Sequence, residues 1–212
     1  MADITTAQLI DWLRRFQALV SEHQHELTEL DSVIGDADHG ANMVRGMNAV
    51  VGTLDADGSA AADLLKSVGM TLVTSVGGAS GPLYGTFFLR LGMSAGAARE
   101  LDARALGSAL RAGLDGIVAR GKAELGDKTM VDAMEPAVTA WETTVDDGGT
   151  AAEASAAAAA AAATGRDATI PLVARRGRAS YLGERSAGHL DPGATSTALL
   201  FTALADALGG LT

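Results

Sequence analysis

Apolar residues recur at helical spacing along most of this 212-residue chain, and this periodicity constrains the fold more than any other feature. In the first such segment, a capping-box pattern of Thr5 and Gln8 precedes apolar residues that share one helical face: Leu9, Ile10, Leu13, Phe16, Leu19 and Val20. Similar spacing predicts helices over 43–54, 64–73 and 106–118, and four further candidates cover 84–93, 130–145, 150–164 and 194–208. The sequence therefore predicts an all-α fold.

Composition agrees with helices packed closely on one another. Apolar residues make up 48% of the chain but aromatic residues only 4%, so Ala, Leu, Val and Met dominate. The candidate over 150–164 is nearly all alanine, which indicates either tight packing or fraying. No repeat or interdomain linker is evident, and the length suits one core, so we expect a single domain over residues 1–212.

Net charge and cysteine content exclude several classes of function. A formal charge of −10 argues against a nucleic-acid-binding surface, which needs basic residues to neutralise phosphates. The absence of cysteine excludes disulfides and thiolate metal sites. Because the N-terminus lacks a basic start followed by an apolar run, and no apolar stretch reaches about 18 residues, we expect a cytoplasmic protein without a membrane span.

Four connections hold most of the glycine and clustered charge, which is typical of functional loops. We name them the aspartate loop (31–42), the glycine loop (77–85), the lysine loop (121–129) and the arginine segment (175–193). By contrast, 55–58 and 146–149 have the composition of ordinary solvated turns.

The aspartate loop places three carboxylates, Asp31, Asp36 and Asp38, within eight residues. If they converge, their repulsion requires a cation, and hard oxygen ligands favour Mg²⁺ or Ca²⁺. Asn42 stands where a Ca²⁺-binding helix-loop-helix needs glutamate, so we favour Mg²⁺ with phosphate. The alternative is that these aspartates only cap helices. Residues 40–42 begin the next helix, whose free N–H groups suit a phosphate oxygen.

The glycine and lysine loops carry weaker signals. In the glycine loop, small residues and the Ser80 hydroxyl suit an anion, although the loop lacks the G-K-[ST] ending of a Walker A motif. The aromatic residues that follow, Tyr84, Phe87 and Phe88, are interpreted as core. Lys122 and Lys128 are interpreted as mobile cations for phosphates, with a partner surface or a plain solvated loop as alternatives.

Two further positions suit a nucleotide. Met130 can pack under a purine, since a thioether fills irregular apolar gaps. The arginine segment is the densest basic stretch of an acidic chain, and Arg178 lies between small residues, where its guanidinium suits phosphate. Asp191 can orient a lysine, an arginine or a ribose hydroxyl, or it can simply begin the last helix.

Four blocks together resemble the L subunits of bacterial phosphoenolpyruvate-dependent dihydroxyacetone kinases, the ADP-binding subunits of these enzymes, and they occur in the family's order. The blocks are 34–40 (IGDADHG), 75–82 (SVGGASGP), 126–130 (GDKTM) and 177–186 (GRASYLGERS) with 191–195 (DPGAT). The resemblance implies a closed antiparallel barrel of eight helices with a nucleotide pocket formed by interhelical loops at one end.

The resemblance also assigns residues to the site. It implies that Asp31, Asp36 and Asp38 bind two Mg²⁺ ions that bridge the nucleotide phosphates. The positions that match the family's ADP or ATP contacts are His39, Gly40, Ala41, Asn42, Ala79, Ser80, Gly121, Met130, Arg178, Asp191, Pro192 and Gly193. No residue is an obvious catalytic nucleophile or base, so positioning and charge neutralisation carry the predicted phosphoryl transfer.

In the family, ADP stays bound as a coenzyme and is phosphorylated by a phosphohistidine protein, the M subunit of the phosphotransferase system. It passes the phosphoryl group to dihydroxyacetone on a separate K subunit. Because this sequence carries no fused K domain, it is more similar to this branch than to single-chain ATP-dependent kinases. Two alternatives stay open: an ATP-exchanging kinase subunit for dihydroxyacetone or a related small polyol, and an ADP-dependent regulatory protein that binds a transcription regulator.

Overall fold

The computed structural model describes residues 4–54 and 60–209, and the turn predicted over 55–58 lies outside them. Nine α-helices and one 3-10 helix form the described part of the chain. They are α1 (Thr6–Glu22), α2 (Gln24–Ile34), α3 (His39–Val51), α4 (Ala61–Ser75), α5 (Ser80–Ser94), α6 (Ala103–Gly121), α7 (Met130–Asp146), α8 (Ala151–Ala168), η1 (Arg178–Ser186) and α9 (Pro192–Gly209). Within these residues the only β contact is an isolated bridge between Ile4 and Leu101, so the all-α prediction is confirmed.

Eight of the helices close into a ring. Successive helices from α3 to α9 pack on one another. The helix α1 packs against both α9 and α3 and so closes the ring. Connections of four residues join α4 to α5 (76–79) and α7 to α8 (147–150), so these neighbours run antiparallel. The predicted eight helices and their closed arrangement are therefore confirmed. The helix α2 was not among the eight, and it lies against α3, α9 and η1.

Large side chains fill the interior of the ring. Trp12 and Trp141 are fully buried, and each indole N–H donates to a backbone carbonyl, that of Leu200 at 2.9 Å and that of Ala103 at 2.9 Å. Tyr84, Phe87 and Phe88 are also buried, as the sequence predicted. These aromatic residues anchor the ring because burial of large apolar surfaces dominates core stability.

The alanine-rich helix α8 is tightly packed, so the fraying alternative is wrong. Its buried face consists of small residues: Ala154, Ser155, Ala158, Ala162 and Gly165. A Cβ at Gly165 would lie 2.1 Å from the carbonyl oxygen of Asp132, which has no helical N–H partner because Pro136 stands four residues later. Gly165 of α8 therefore lets the two helices approach closely at the turn where Pro136 interrupts the backbone hydrogen bonding of α7.

The ring brings the four charged connections to one end. In an antiparallel ring every second connection lies at the same end, and this holds for the connections that precede α3, α5, α7 and α9. The 146–149 segment lies in a largely exposed turn between α7 and α8. No helix within the described ranges is long and apolar enough to cross a membrane.

Candidate functional site

A cavity of about 400 Å³ opens at this end of the ring, and all four charged connections contribute to its wall. The predicted site residues that line it are Asp31, Asp36, Asp38, His39, Ala79, Ser80, Gly121, Met130, Arg178, Asp191, Pro192 and Gly193. Gly40, Ala41 and Asn42 are not part of the lining. The structure therefore brings most of the predicted residues around one space.

The three aspartates converge as predicted. Asp31, Asp36 and Asp38 each offer a carboxylate oxygen, and these oxygens lie within 4.8 Å of one another. Ala37, between the last two, has a φ of 61°, a left-handed conformation that is uncommon outside glycine and asparagine. A sharp loop of this kind turns two neighbouring carboxylates toward one point, where an all-oxygen donor set fits a hard cation such as Mg²⁺.

Asp31 also holds the start of α3. Its Oδ2 accepts hydrogen bonds from the backbone N–H groups of Asp38 at 2.8 Å and His39 at 3.1 Å. Capping therefore accounts for Oδ2 of Asp31, a buried residue that is also a member of the carboxylate cluster. Asp38 occupies the N-cap position of α3 without a side-chain hydrogen bond to the helix, so capping does not account for its carboxylate.

Gly35 makes room for the Asp31 carboxylate. A Cβ built on Gly35 would lie 2.0 Å from Asp31 Oδ1, a distance that no side chain tolerates. The close approach of the Asp31 carboxylate is therefore one reason for glycine at this position.

The glycine loop places a second helix N-terminus beside the first. Gly78 has a φ of 63°, and a Cβ there would lie 3.9 Å from Asp38 Oδ1. Ser80 then begins α5, and its hydroxyl lies 3.0 Å from His39 Nδ1 at the start of α3. The N-termini of two helices, with their positive dipole ends, therefore meet beside the carboxylates, an arrangement that favours a bound anion.

The three predicted contacts outside the lining have structural surroundings of their own. A Cβ at Gly40 would meet the carbonyl oxygen of Gln24 at 2.2 Å, so this glycine serves helix packing. Ala41 is exposed, and Asn42 is buried with its Oδ1 accepting a hydrogen bond from Arg45 Nη2 at 2.7 Å. Their nucleotide contacts stay predictions.

Lys128 is not a mobile cation, so that interpretation of the lysine loop is wrong for this residue. Its side chain is buried, and Nζ donates to the carbonyl oxygens of Thr169, at 2.6 Å, and His189. Burial lowers the pKa of Lys128, and the neighbouring Asp191 opposes this effect. Through these two hydrogen bonds the Lys128 ammonium links the lysine loop to both ends of the segment that joins α8 to α9. Lys122, in contrast, is exposed at the end of α6.

Asp191 begins α9, the plainer of its two predicted roles. Its Oδ2 accepts the backbone N–H of Ala194 at 2.7 Å, and its own N–H donates to Thr169 Oγ1 at 3.1 Å. Burial raises the pKa of Asp191 to about 7, although the hydrogen bond from Ala194 and the charge of Lys128 act in the opposite direction. A buried carboxyl group therefore forms part of the cavity wall.

Arg178 lies across the mouth of the cavity. Its Nη2 lies 2.9 Å from Asp36 Oδ2, and 68% of its side-chain surface is exposed. Nearby, Arg176 Nε lies 3.4 Å from Asp127 Oδ2. A small apolar cluster anchors this segment over the end of α2, and its members are Ile34, Ala174, Ala179 and Leu182. The arginine segment thus places an exposed cation beside the carboxylate cluster, on a segment held by apolar contacts.

The cavity also has an apolar side that the sequence did not single out. Its wall from α5, α6, α7 and the lysine loop includes Leu83, Ile117, Ala123 and Val131, together with the predicted Met130. Arg120 adds a cation there. Helical periodicity predicts Ile117 as a core residue of the helix over 106–118. Its position at the end of that helix, beside the lysine loop, is the sequence signal that could have placed it in the cavity wall. An apolar wall and a carboxylate cluster in one cavity suit a ligand with both a ring system and phosphates.

A family model described as the DAK2 domain matches residues 33–206. The ADP-binding subunit DhaL of the PEP-dependent dihydroxyacetone kinase of Escherichia coli (strain K12) is 45% identical over 203 residues, which are 95% of this chain and 97% of that protein. The ADP-binding subunit DhaL of the PTS-dependent dihydroxyacetone kinase of Lactococcus lactis subsp. lactis (strain IL1403) is 43% identical over 202 residues, with the same two coverages, 95% and 97%.

Longer proteins are also similar. L-erythrulose 1-kinase of Mycolicibacterium smegmatis is 38% identical over 200 residues, which are 92% of this chain but only 34% of that protein. Among solved structures, the dihydroxyacetone kinase from C. freundii in complex with AMP-PNP and Mg²⁺ superposes with a TM-score of 0.70 at 27% identity, and the match covers 97% of this chain and 35% of that one.

Proposed function

This chain belongs to the DAK2 domain family, and from that membership we propose that it is the nucleotide-holding L subunit of a dihydroxyacetone (glycerone) kinase. The observation that carries the proposal is the convergence of three carboxylates beside two helix N-termini at the mouth of one cavity. The near-complete coverage of relatives that are themselves ADP-binding subunits supports it.

In this proposal Asp31, Asp36 and Asp38 hold two Mg²⁺ ions. Mg²⁺ held by these carboxylates would supply positive charge that offsets the charge of the nucleotide phosphates. The donor set supports this role because it consists of carboxylate oxygens and because Asp36 and Asp38 are accessible from the cavity. The solved relative with AMP-PNP and Mg²⁺ is consistent with the same pairing of metal and nucleotide.

The remaining predicted residues surround ADP or ATP in this proposal. Ser80, with the N-termini of α3 and α5, donates to phosphate oxygens. Met130 and the apolar wall cover the base, while Asp191 to Gly193 and Gly121 border the ribose and base. Arg178 faces the carboxylate cluster. From this position its guanidinium can stabilise the negative charge that develops on a phosphoryl group during transfer. These roles require no protein nucleophile, since positioning and charge neutralisation suffice.

We further propose that ADP is retained and phosphorylated in place by a phosphohistidine protein, the M subunit of the phosphotransferase system, and that dihydroxyacetone is bound by a separate K subunit. The relatives named PEP-dependent and PTS-dependent are 45% and 43% identical to this chain, respectively, above the 38% of the erythrulose kinase. The working compartment in this proposal is the cytoplasm.

The similarity to L-erythrulose 1-kinase favours a second candidate, an ATP-exchanging subunit that acts on dihydroxyacetone or a related small polyol or ketose. A third role, contact with a transcription regulator when ADP is bound, would use the same site without transfer.

Nucleotide content after purification tests the proposal. The protein is purified without added nucleotide, dialysed extensively and denatured, and released nucleotide and Mg²⁺ are quantified. Near-stoichiometric ADP is expected for a retained coenzyme. An empty protein that binds ATP reversibly would favour the exchanging kinase, and an empty protein without nucleotide affinity would overturn both. Tight regulator binding without transfer to any K subunit would favour regulation.

A further inference from the structure

A chain of hydrogen bonds leads from the cavity into the interior of the ring. Ser80 Oγ lies 3.0 Å from His39 Nδ1, and His39 Nε2 lies 2.9 Å from Ser196 Oγ. Ser196 Oγ lies 2.8 Å from the hydroxyl of Tyr84, which lies 3.1 Å from Thr197 Oγ1. We name these five residues the His39 chain. It joins α3, α5 and α9.

Ser80, His39 and Tyr84 of the His39 chain line the cavity, whereas Ser196 and Thr197 do not. Ser80 is half-buried in the cavity wall, whereas Ser196 and Thr197 have no exposed surface and Tyr84 has 1%. The imidazole of His39 is buried, and each of its ring nitrogens lies within hydrogen-bond distance of one hydroxyl, so a ring with one N–H donates from one nitrogen and accepts at the other. In such surroundings the polar atoms must satisfy one another, because an unpaired buried polar group is costly.

Counting hydrogens leaves two directions for the His39 chain. In the inward direction Ser80 donates to His39 Nδ1, Nε2–H donates to Ser196, and Ser196 donates to the carbonyl oxygen of Gly193, which lies 3.1 Å away. The Ser80 hydrogen is then committed to His39 and is withheld from the cavity.

In the outward direction the two ring nitrogens of His39 exchange their donor and acceptor roles. Tyr84 donates to Ser196, Ser196 donates to His39 Nε2, and Nδ1–H donates to Ser80 Oγ. The Ser80 hydrogen is then free to point into the cavity. Gly193 loses the Ser196 hydroxyl but lies in the first turn of α9, where its carbonyl oxygen keeps a helical donor.

We propose that Ser196 and Tyr84 are positioning residues for nucleotide binding, which act through the tautomer of His39. A phosphate oxygen beside Ser80 accepts only from a hydroxyl whose hydrogen points outward, and so it selects the outward direction with the proton on Nδ1. Ser196 supplies the donor that His39 Nε2 then requires, and Tyr84 supplies the donor that Ser196 requires. The inference rests on the proposed nucleotide-binding function and adds Ser196, which lies outside the cavity lining, and the hydroxyl of Tyr84, which faces Ser196.

Nitrogen NMR of the full chain tests the tautomer directly. With ¹⁵N-labelled histidine, two-bond proton–nitrogen spectra distinguish the Nδ1–H from the Nε2–H form, and a His39→Gln variant assigns the signal. The spectra are recorded after removal of nucleotide and again with saturating Mg²⁺ and ADP. The expected result is that the Nδ1–H form dominates with ADP bound. An Nε2–H or a doubly protonated ring in the complex overturns the inference.

Affinity measurements test the two positioning residues. Ser196→Ala and Tyr84→Phe should each weaken Mg-ADP binding, Ser196→Ala by about tenfold, the scale of one hydrogen bond. Ser80→Ala combined with Ser196→Ala should be no weaker than Ser80→Ala alone, since both changes break one chain. The matched control is Ser155→Ala on α8, a fully buried serine whose hydroxyl donates to the carbonyl oxygen of Ala152.

The outcomes separate this inference from the function on which it rests. Tight Mg-ADP binding with additive losses, or with a Ser196→Ala effect equal to that of the control, overturns the positioning role but leaves the function intact. Absence of Mg-ADP binding to the unmodified protein overturns the proposed function, and the inference falls with it.

Discussion

The guanidinium Nη2 of Arg178 lies 2.9 Å from Asp36 Oδ2, so the first residue of η1 is ion-paired with the loop before α3. Both partners are accessible, and a pair this exposed adds little to stability. The contact therefore shows where the guanidinium can reach, which is the point at which the three carboxylates meet. A cation bound to the carboxylates would compete with Arg178 for Asp36 and leave the arginine to an anionic ligand.

We predict that Arg178→Ala slows phosphoryl transfer by about tenfold or more while leaving the fold unchanged, because one charge-assisted donor to a developing charge is lost. Arg178→Lys should recover only part of the rate, since lysine lacks the planar fork. Single-turnover transfer and the midpoint of thermal unfolding are the measurements. Arg185→Ala, an exposed arginine of the same η1 helix, is the matched control. Unchanged kinetics and nucleotide affinity would remove Arg178 from the site.

A second prediction distinguishes Asp31, which accepts hydrogen bonds from the start of α3, from Asp36 and Asp38, which do not. Asp36→Asn and Asp38→Asn should lose Mg²⁺ and nucleotide affinity together and keep the unfolding midpoint, because neither carboxylate caps a helix. Asp31→Asn should in addition destabilise the protein, by up to about 1 kcal/mol, because Oδ2 accepts two N–H groups at the start of α3. Calorimetric titration and urea unfolding give the two readouts.

The control for the aspartate series is Asp63→Asn, an exposed carboxylate on α4 that lies 3.9 Å from Lys66. It should change neither readout. Retention of nucleotide at unchanged affinity in Asp36→Asn or Asp38→Asn would contradict the metal assignment.

Gly35→Ala gives a third prediction. The new Cβ would lie 2.0 Å from Asp31 Oδ1, so the carboxylate or the loop must move. Both Mg²⁺ affinity and stability should fall, since Asp31 serves the metal cluster and the N-terminus of α3. The measurements are Mg²⁺ titration and thermal unfolding. Gly209→Ala is the control, because a Cβ there meets no atom within 4 Å. A Gly35→Ala protein with normal Mg²⁺ affinity would show that Asp31 does not contribute to the cluster.

Most of the fold could be predicted from the sequence because apolar periodicity reports helices directly. The helix α2 was not predicted from the sequence because α1 and α2 share His23 as their common cap, so no run of loop residues marks the boundary between them. Its apolar residues, Leu27 and Ile34 among them, continue the pattern at a new angle that only the folded chain reveals.

The aspartate cluster could be predicted because its members are neighbours in sequence, whereas contacts between distant segments could not. Lysine is ordinarily solvated, and the burial of Lys128 depends on carbonyl oxygens of Thr169 and His189, residues far along the chain. The His39 chain was missed for the same reason, since Ser196 lies 157 residues from His39.

Lys128→Met provides a fourth prediction. Loss of the ammonium leaves the carbonyl oxygens of Thr169 and His189 without this donor, at a cost of about 1 to 3 kcal/mol in the free energy of unfolding. Nucleotide affinity should also fall, because the lysine loop and the connection before α9 both line the cavity. Urea unfolding is the measurement. Lys122→Met is a matched control, since both lysines have left-handed backbones, with φ of 51° and 61°, but Lys122 is exposed. Equal effects of the two substitutions would contradict a bracing role for Lys128.

The raised pKa of Asp191 gives a prediction about pH. In the folded protein the pKa of the Asp191 carboxyl is about 7, against an ordinary value of 3.8, so the native state binds more protons than the unfolded state between these values. The contribution of Asp191 to the free energy of unfolding is therefore fully present below about pH 4 and is lost as pH rises through 7. Asp191→Asn keeps an acceptor for the Ala194 N–H but cannot titrate.

Urea unfolding of both proteins from pH 4 to pH 8 isolates this effect, because titrations common to the two cancel in the difference. The stability of Asp191→Asn relative to the unmodified protein should rise with pH over the interval and level off above it. A difference independent of pH would show that the buried carboxyl keeps an ordinary pKa. In that case the charge of Lys128 and the hydrogen bond from Ala194 would fully offset the burial of Asp191.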